Sequence, residues 1–397
     1  MSLRGSGRDR YLNFFQKPAA AYILIVTSTS LLTALGIVMV LSSSSVKAYE
    51  TTGSTYSIFL KQLLFIILGF GALYLAMYLK RALWERLARW GLIIGGALLV
   101  LPQAPGIGKN INGNRSWIGF GGFTVQPSEI SKVLLVLWCA MILRRLEERE
   151  DRPGALEVLK SIAPAPILFL ALIMAGKDLG TAIIVMGIAF AMLFVAGLDS
   201  RALLGTGLLG LIGVVGFVVT SPNRLQRFSA VLHPFAPGVY KLAGWQTAHS
   251  IMGLASGGFF GVGLGASRQK WANLSEANTD FIFSVIGEEL GLLGTIIVLL
   301  LYIALIYGIL RTALHTKDLL YKYACAGIGA WLMLQVAVNI GSDIGVLPVV
   351  GVSLPFLSYG GSALLADFIG VGFVLSVARR DPEVRAALRS KPRRTAE

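Results

Sequence analysis

Apolar residues in this chain come in long blocks, and the polar ones gather in the gaps between them. Blocks near 21–43, 59–79, 87–102, 129–144, 159–175, 179–197, 202–220, 284–310, 323–343 and 361–379 predict ten membrane-spanning helices. Each approaches the ~20 residues that cross ~30 Å of hydrocarbon, where the main chain must satisfy its own hydrogen bonds. The expected fold class is an all-α polytopic membrane protein. Most gaps are short. The exceptions are 103–128, rich in Gly, Asn and aromatics, and a large external loop, 221–283, between spans seven and eight. At the loop's centre, HSIMGLASGGFFGVGLGAS is apolar but too broken to span, which suggests a re-entrant or interfacial segment.

Charge orients the spans. If the N-terminus is inside, 24 of the 35 Lys and Arg residues fall in cytoplasmic segments. The positive-inside rule then puts both termini in the cytoplasm. The expected organisation is a cytoplasmic segment 1–20, a ten-span domain 21–379 and a basic cytoplasmic tail 380–397. The net charge of +14 follows from this distribution and does not call for nucleic acid. Anionic lipid is the better partner for the basic tail. The first span reads as an uncleaved anchor, because no small-residue cleavage site accompanies it. Cys139 and Cys325 fall inside spans, so no disulfide framework is implied.

Familiar cofactor signatures are missing. GVGLGA at 261–266 has no βαβ context, no GxxxxGK[ST] occurs, and the three histidines lack metal-ligand spacing, so no nucleotide is expected. Four carboxylates nevertheless crowd into EANTDFIFSVIGEEL, residues 276–290, at the mouth of an apolar block. A helix starting near Thr279 or Asp280, capped by Thr279 or Asn278, would place Asp280 in its first turn at the membrane edge. Glu288 and Glu289 would lie ~12 Å deeper and on other faces, which opposes a carboxylate ladder and suits acids bonded between helices.

A second cluster, QPSEISK, sets Glu129 and Lys132 one turn apart. NGNRSWIGF adds Arg115 and Trp117, a cation and an aromatic face suited to phosphate or sugar, though such a Trp also serves as an interface anchor. Arg224, Arg227, Lys241, Arg268 and Lys270 place cations on the external side. Bound pyrophosphate and plain headgroup contact explain them equally. The segment 345–365, with two prolines and a Tyr-Gly-Gly-Ser step, reads as structural by spacing alone.

Taken together, GVGLGASRQKWANLSEANTDFIFSVIGEELGLLG (261–294), QPSEISK, DLGTA (178–182) and VLPVVGVSLPFLSYGGS (346–362) resemble the SEDS family of cell-wall polymerases. Within the family they are more similar to the division member than to the elongation member. The resemblance implies a bacterial cytoplasmic membrane enzyme, at the septum for a division member, that polymerises lipid II into peptidoglycan glycan strands. Its implied partners are lipid II, a class B penicillin-binding protein, other divisome membrane proteins and the bilayer. It implies that Asp280 is the essential acid and that Glu129 and Lys132 line the cavity. The expected mechanism is inverting, with Asp280 as general base at the acceptor 4-hydroxyl. Arg115, Lys132, Arg227 and Lys270 would hold the diphosphate, with Trp117 and Glu288 as further binding candidates. A divalent cation, Mg or Mn, is a candidate bridge. Four positions depart from the family pattern: Lys177, Ser275, Asn278 and Asp343. Two rival readings are a lipid II flippase and a scaffold that activates the penicillin-binding protein without catalysis.

Overall fold

The computed structural model describes residues 19–389, apart from 112, 121–122, 152, 221 and 272, and gives no side-chain placement for 120, 222–224, 383, 388 and 389. The segment 1–18 and the tail beyond 389 therefore lie outside the described residues. Each of the ten apolar blocks falls on helix: α1 (Ala19–Thr52), α2 (Ser57–Tyr78), α3 (Arg81–Val100), α4 (Pro127–Glu147), the bent pair α5 (Ala155–Ile162) and α6 (Pro164–Ala175), α7 (Leu179–Val195), α8 (Ser200–Val219), α12 (Ile282–His315), α13 (Leu319–Asp343) and α14 (Gly361–Ala378). Six of these are long and apolar enough to cross a membrane, and a seventh span results if α5 and α6, which meet at 43°, count as one. By that measure the expected ten is not reached, because α3 and α4 carry charge at their ends and α7 is short.

α13 and α4 occupy the middle of the bundle. α13 packs on α4, α7 and α12, while α2 lies along α14 and α1 along α12. α8 stands at the rim, where Val218 alone is buried and the other side chains are exposed or half-buried, as suits a helix solvated largely by lipid.

Both long segments between spans carry regular structure. The first, 103–128, holds a small sheet. Its strands β1 (Gly108–Ile111), β2 (Asn114–Phe120) and β3 (Phe123–Val125) pair antiparallel in that order, so the fold is helical with one small sheet. The long external loop is also structured, with helices α9 (Pro222–Leu232), α10 (Pro237–Tyr240) and α11 (Trp245–Ser256). A short helix α15 (Pro382–Arg389) follows α14 in the expected tail.

The glycine-rich segment after α11 docks into a break in α12. Gly291 takes φ 69° and ψ −165°, a conformation outside the helical region that only glycine adopts readily. Around this break, Val262 and Gly263 donate main-chain N–H groups to the carbonyls of Glu288 and Glu289 at 2.9 and 3.1 Å. Leu292 and Leu293 donate in turn to the carbonyls of Gly258 and Phe259 at 2.9 and 3.2 Å. The helix's freed carbonyls and amides are thus satisfied by a second strip of main chain, the condition for irregular backbone at membrane depth.

Candidate active site

Asp280 sits in a turn just before α12. Glu276, at φ 59°, turns the chain so that its carbonyl accepts from the N–H groups of Thr279 and Asp280, both at 3.1 Å, and Phe281 at 3.3 Å. α12 then begins at Ile282 with no side-chain cap at Phe281, so neither Thr279 nor Asn278 caps it as expected. The cap comes from another helix. Asp343, at the end of α13, accepts the N–H of Ser284 on Oδ2 at 3.0 Å, satisfying a donor that a helix start leaves open.

The chain leading into α14 fixes the same turn. Ser358 donates its hydroxyl to the Thr279 carbonyl at 2.5 Å, and the Tyr359 N–H donates to the Asn278 carbonyl at 2.8 Å. Asn339 donates to the carbonyls of Asp280 and Val352, both at 2.7 Å. The Asp280 main chain is therefore held, while its half-buried carboxylate lines a cavity. Gly351 at φ 75° lies beneath it, and a Cβ there would come within 3.6 Å of Asp280 Oδ2. The segment 345–365, structural by spacing alone, is a wall of this site.

The cavity has a volume of about 570 Å³. Asp280, Glu276 and Thr279 line it from one side, and Trp117 of β2, Lys177 and Arg227 of α9 also border it. At its inner end Lys132 meets Glu129 Oε2 at 2.8 Å, donates to Gln335 Oε1 at 3.1 Å, and lies 5.0 Å from the Trp331 ring centre. Gln335 in turn donates to the Ser353 carbonyl at 3.1 Å. This buried pair costs desolvation that its attraction only partly offsets, so it contributes a fixed local charge pattern more than stability.

Asp178 anchors the facing wall. Its carboxylate accepts from the Thr181 N–H at 3.0 Å, the Thr181 hydroxyl at 2.9 Å, Gln126 at 2.7 Å and Ser116 at 3.1 Å. It thereby caps α7 and ties it to β2 and to the start of α4. Lys177 immediately before it adopts φ 62° and borders the cavity.

Enclosure raises the Asp280 carboxyl from its ordinary 3.8 to about 7, and the neighbouring Glu276 charge adds to the rise. Lys47, a hydrogen bond from Thr279 and Arg227 pull it partly back. Lys47 also pairs with Glu276 at 3.2 Å, which moderates the acidic surroundings. A carboxyl near 7 is well placed to take up a proton at neutral pH.

A family model described as cell cycle protein, covering FtsW, RodA and SpoVE, matches residues 22–383. The chain belongs to this family. Stage V sporulation protein E of Bacillus subtilis (strain 168) is 37% identical over 365 residues, 91% of this chain and 98% of that protein. The probable peptidoglycan glycosyltransferase FtsW of Mycobacterium tuberculosis (strain ATCC 25618 / H37Rv) is 36% identical over 383 residues, 96% of this chain and 72% of that one. Among solved structures, a chain of a peptidoglycan synthase complex superposes with TM-score 0.73 at 30% identity, covering 89% of this chain and 96% of the other. RodA of Thermus thermophilus superposes with TM-score 0.64 at 29% identity, covering 89% of this chain and 95% of RodA.

In this FtsW/RodA/SpoVE-family chain, Asp280, Glu129, Lys132, Trp117 and Arg227 share one cavity. Three other expected site residues stand elsewhere. Arg115 is exposed and off the lining; its main chain bonds Gly176 and Gln103. Glu288 is buried and accepts from the Ser267 hydroxyl at 2.5 Å and from the N–H groups of Arg268 at 3.0 Å and Gln269 at 3.4 Å. Lys270 is buried too, donating to the Gly265 carbonyl at 2.5 Å and meeting Glu289 at 3.5 Å. Ser42 completes this cluster by donating to Glu289 at 2.7 and 2.8 Å. Glu288, Glu289 and Lys270 therefore hold the 261–270 loop against the broken helix. Lys241 and Arg268 are exposed and off the cavity, and the Arg224 side chain lies outside the described residues.

Sequence reasoning left Asp178, Lys177, Gln335 and Ser353 without roles. Only Asp178 carried a readable signal, since Asp directly before an apolar block is a helix N-cap pattern. For a divalent cation, no group of three His, Cys, Asp or Glu residues converges among the described residues. Asp178 and Glu129 are already engaged by other side chains. These residues do not form a metal cage, and no step below is routed through one.

Proposed function

We propose that this chain is a peptidoglycan glycosyltransferase that polymerises lipid II into β-1,4 glycan strands at the outer face of the bacterial cytoplasmic membrane. The observation that carries the reading is a carboxyl with a raised pKa, fixed by its main chain at the edge of a cavity that also presents cations and an aromatic face. The curated relatives named peptidoglycan glycosyltransferase and the chain of a peptidoglycan synthase complex support it.

In this mechanism Asp280 takes the proton of the acceptor 4-hydroxyl. The freed oxygen pair attacks the donor's anomeric carbon, and the bond from that carbon to the diphosphate oxygen breaks. The electron pair leaves with undecaprenyl diphosphate, and the α-linkage becomes β. Arg227 and Lys177 stabilise the departing charge. Trp117 supplies a face for a sugar ring. Lys132, held by Glu129 and Gln335, fixes positive charge at the inner end.

A class B penicillin-binding protein is the proposed partner, together with other divisome membrane proteins. Both termini are cytoplasmic, and the site of action is the septum. Fluorescent fusions tracked against the septum and side wall test the last point.

The broken α12 is the feature that best fits a transporter, since transporters bind cargo at such breaks. Here Glu288 and Glu289 at the break are occupied by the chain's own 261–270 loop. The polar cavity instead lies beyond the start of α12, which supports chemistry at the outer face. Purified protein with its partner, given lipid II, tests the proposal. Glycan strands from wild type but not from Asp280→Asn are expected. Near wild-type polymer from Asp280→Asn overturns the catalytic role, and no polymer from any form returns the scaffold reading.

A further inference from the structure

A second cavity, of about 420 Å³, opens where the C-terminal ends of α2 and α14 come together. The charge rule puts this end in the cytoplasm, opposite the candidate active site. Three arginines line it: Arg379, Arg380 and Arg385. Aromatic rings and main chain hold their planes. The Arg379 guanidinium lies 4.1 Å from the Tyr78 ring centre. That of Arg380 lies 4.6 Å from the Tyr321 ring centre and donates to the Tyr321 hydroxyl at 2.5 Å. Arg385 donates one N–H to the Arg379 carbonyl at 3.0 Å.

Helix capping alone leaves much of this charge unexplained. Two helix C-termini present roughly one negative charge together, about half from each. Asp381, next to Arg380, adds one more. Set against three guanidinium groups, this leaves about one net positive charge among the described side chains at the cavity. Guanidinium groups stacked on rings keep their N–H edges directed outward, the geometry that binds phosphate oxygens. Beside the cavity α2 turns an apolar surface outward, with Leu75 67% and Tyr78 54% exposed, which suits acyl chains.

We propose that this cavity binds the phosphate of an anionic phospholipid of the cytoplasmic leaflet, its acyl chains lying along α2. Basic pockets between helices on the cytoplasmic side take such headgroups. The lipid would brace the end of α14, whose first residues Ser362 and Ala363 line the candidate active site. Binding does not require the enzymatic reading and is measured without polymerisation.

The test uses full-length protein carrying a fluorophore on Leu75→Cys, exposed beside the cavity and outside its lining, read by quenching with brominated lipid. The native Cys139 and Cys325 are buried and stay unlabelled. Phosphatidylglycerol is expected to quench with at least tenfold higher affinity than phosphatidylcholine. Replacing Arg379, Arg380 and Arg385 together by Gln is expected to abolish that preference, and replacing them by Lys, which keeps the charge but loses the stacked planar fork, to leave a preference clearly smaller than the wild type's. Equal affinity for both lipids in the wild type overturns the proposal, as does an unchanged preference in the Gln variant. If the Gln variant fails to fold, the wild-type preference and the Lys variant decide. Displacement of the lipid by inorganic phosphate at comparable concentration makes the occupant a soluble phosphate, and the lipid assignment falls.

Discussion

Replacing Asp280 with Asn should abolish activity and stabilise the protein at the same time. The folded protein holds this carboxyl near 7 against an ordinary 3.8, so at neutral pH its ionisation opposes folding. That difference corresponds to about 4 kcal/mol as a ceiling. Water in the cavity screens the charge, so a measured gain of roughly 2 kcal/mol is expected. The main-chain carbonyl that accepts from Asn339 is unchanged by the substitution, so the turn should survive it. The sign is specific. Below about pH 4 the acid is neutral in both folded and unfolded chains, and the two proteins should be equally stable. As pH rises from about 4 to about 7 the unfolded chain ionises first, wild type loses stability, and the gap opens; above 7 it stays constant. Detergent-solubilised wild type and Asp280→Asn unfolded across this range supply the measurement. Polymerisation by the variant should fall by about 10²- to 10⁴-fold. Wild-type kcat/KM should rise through about pH 7 with a one-proton slope. Equal stability at pH 8, or a gap that does not vary with pH, would refute the reasoning.

Three further outcomes are expected. Lys177→Asn keeps a residue that tolerates the left-handed backbone but removes the cation. It should lower kcat for lipid II polymerisation about tenfold with KM little changed, because the charge it stabilises develops on the leaving diphosphate, while Lys177→Arg stays close to wild type in steady-state kinetics. Lys132→Met strands the buried Glu129 charge and should lower apparent stability by about 3–5 kcal/mol, and adding Glu129→Gln should recover most of it in a double-mutant cycle. Glu288→Ala removes the acceptor for three donors of the 267–269 loop and should cost about 3 kcal/mol. Hydrogen exchange across 261–270 should quicken in that variant, with polymerisation reduced less than in Asp280→Asn.

Much of the architecture was legible because lipid imposes a strong rule. A block of about 20 apolar residues has few alternatives to a helix, so each predicted block falls on one. The span count was less secure, because α3, α4 and the bent pair mix short length, end charges and prolines. The β-sheet at 108–125 escaped notice because its strands are short and its sequence is dense in Gly and Asn.

For the candidate site, residue type and spacing determined the separation of Asp280 from Glu288 and Glu289 by depth and angle, and the one-turn pairing of Glu129 with Lys132. Only the tertiary structure decided which cations join them. Lys270 and Glu288 look like binding groups in the sequence, but a break at Gly291 turns them onto a loop of their own chain. Lys177, which carries no motif, reaches the cavity because Asp178 caps α7 beside β2. Asp343, an unexplained acid in the sequence, closes the open end of α12 from a neighbouring helix. Periodicity is a local property and can be read along the chain. The partner of a buried charge is set by helices far apart in sequence, so it emerges only once they pack.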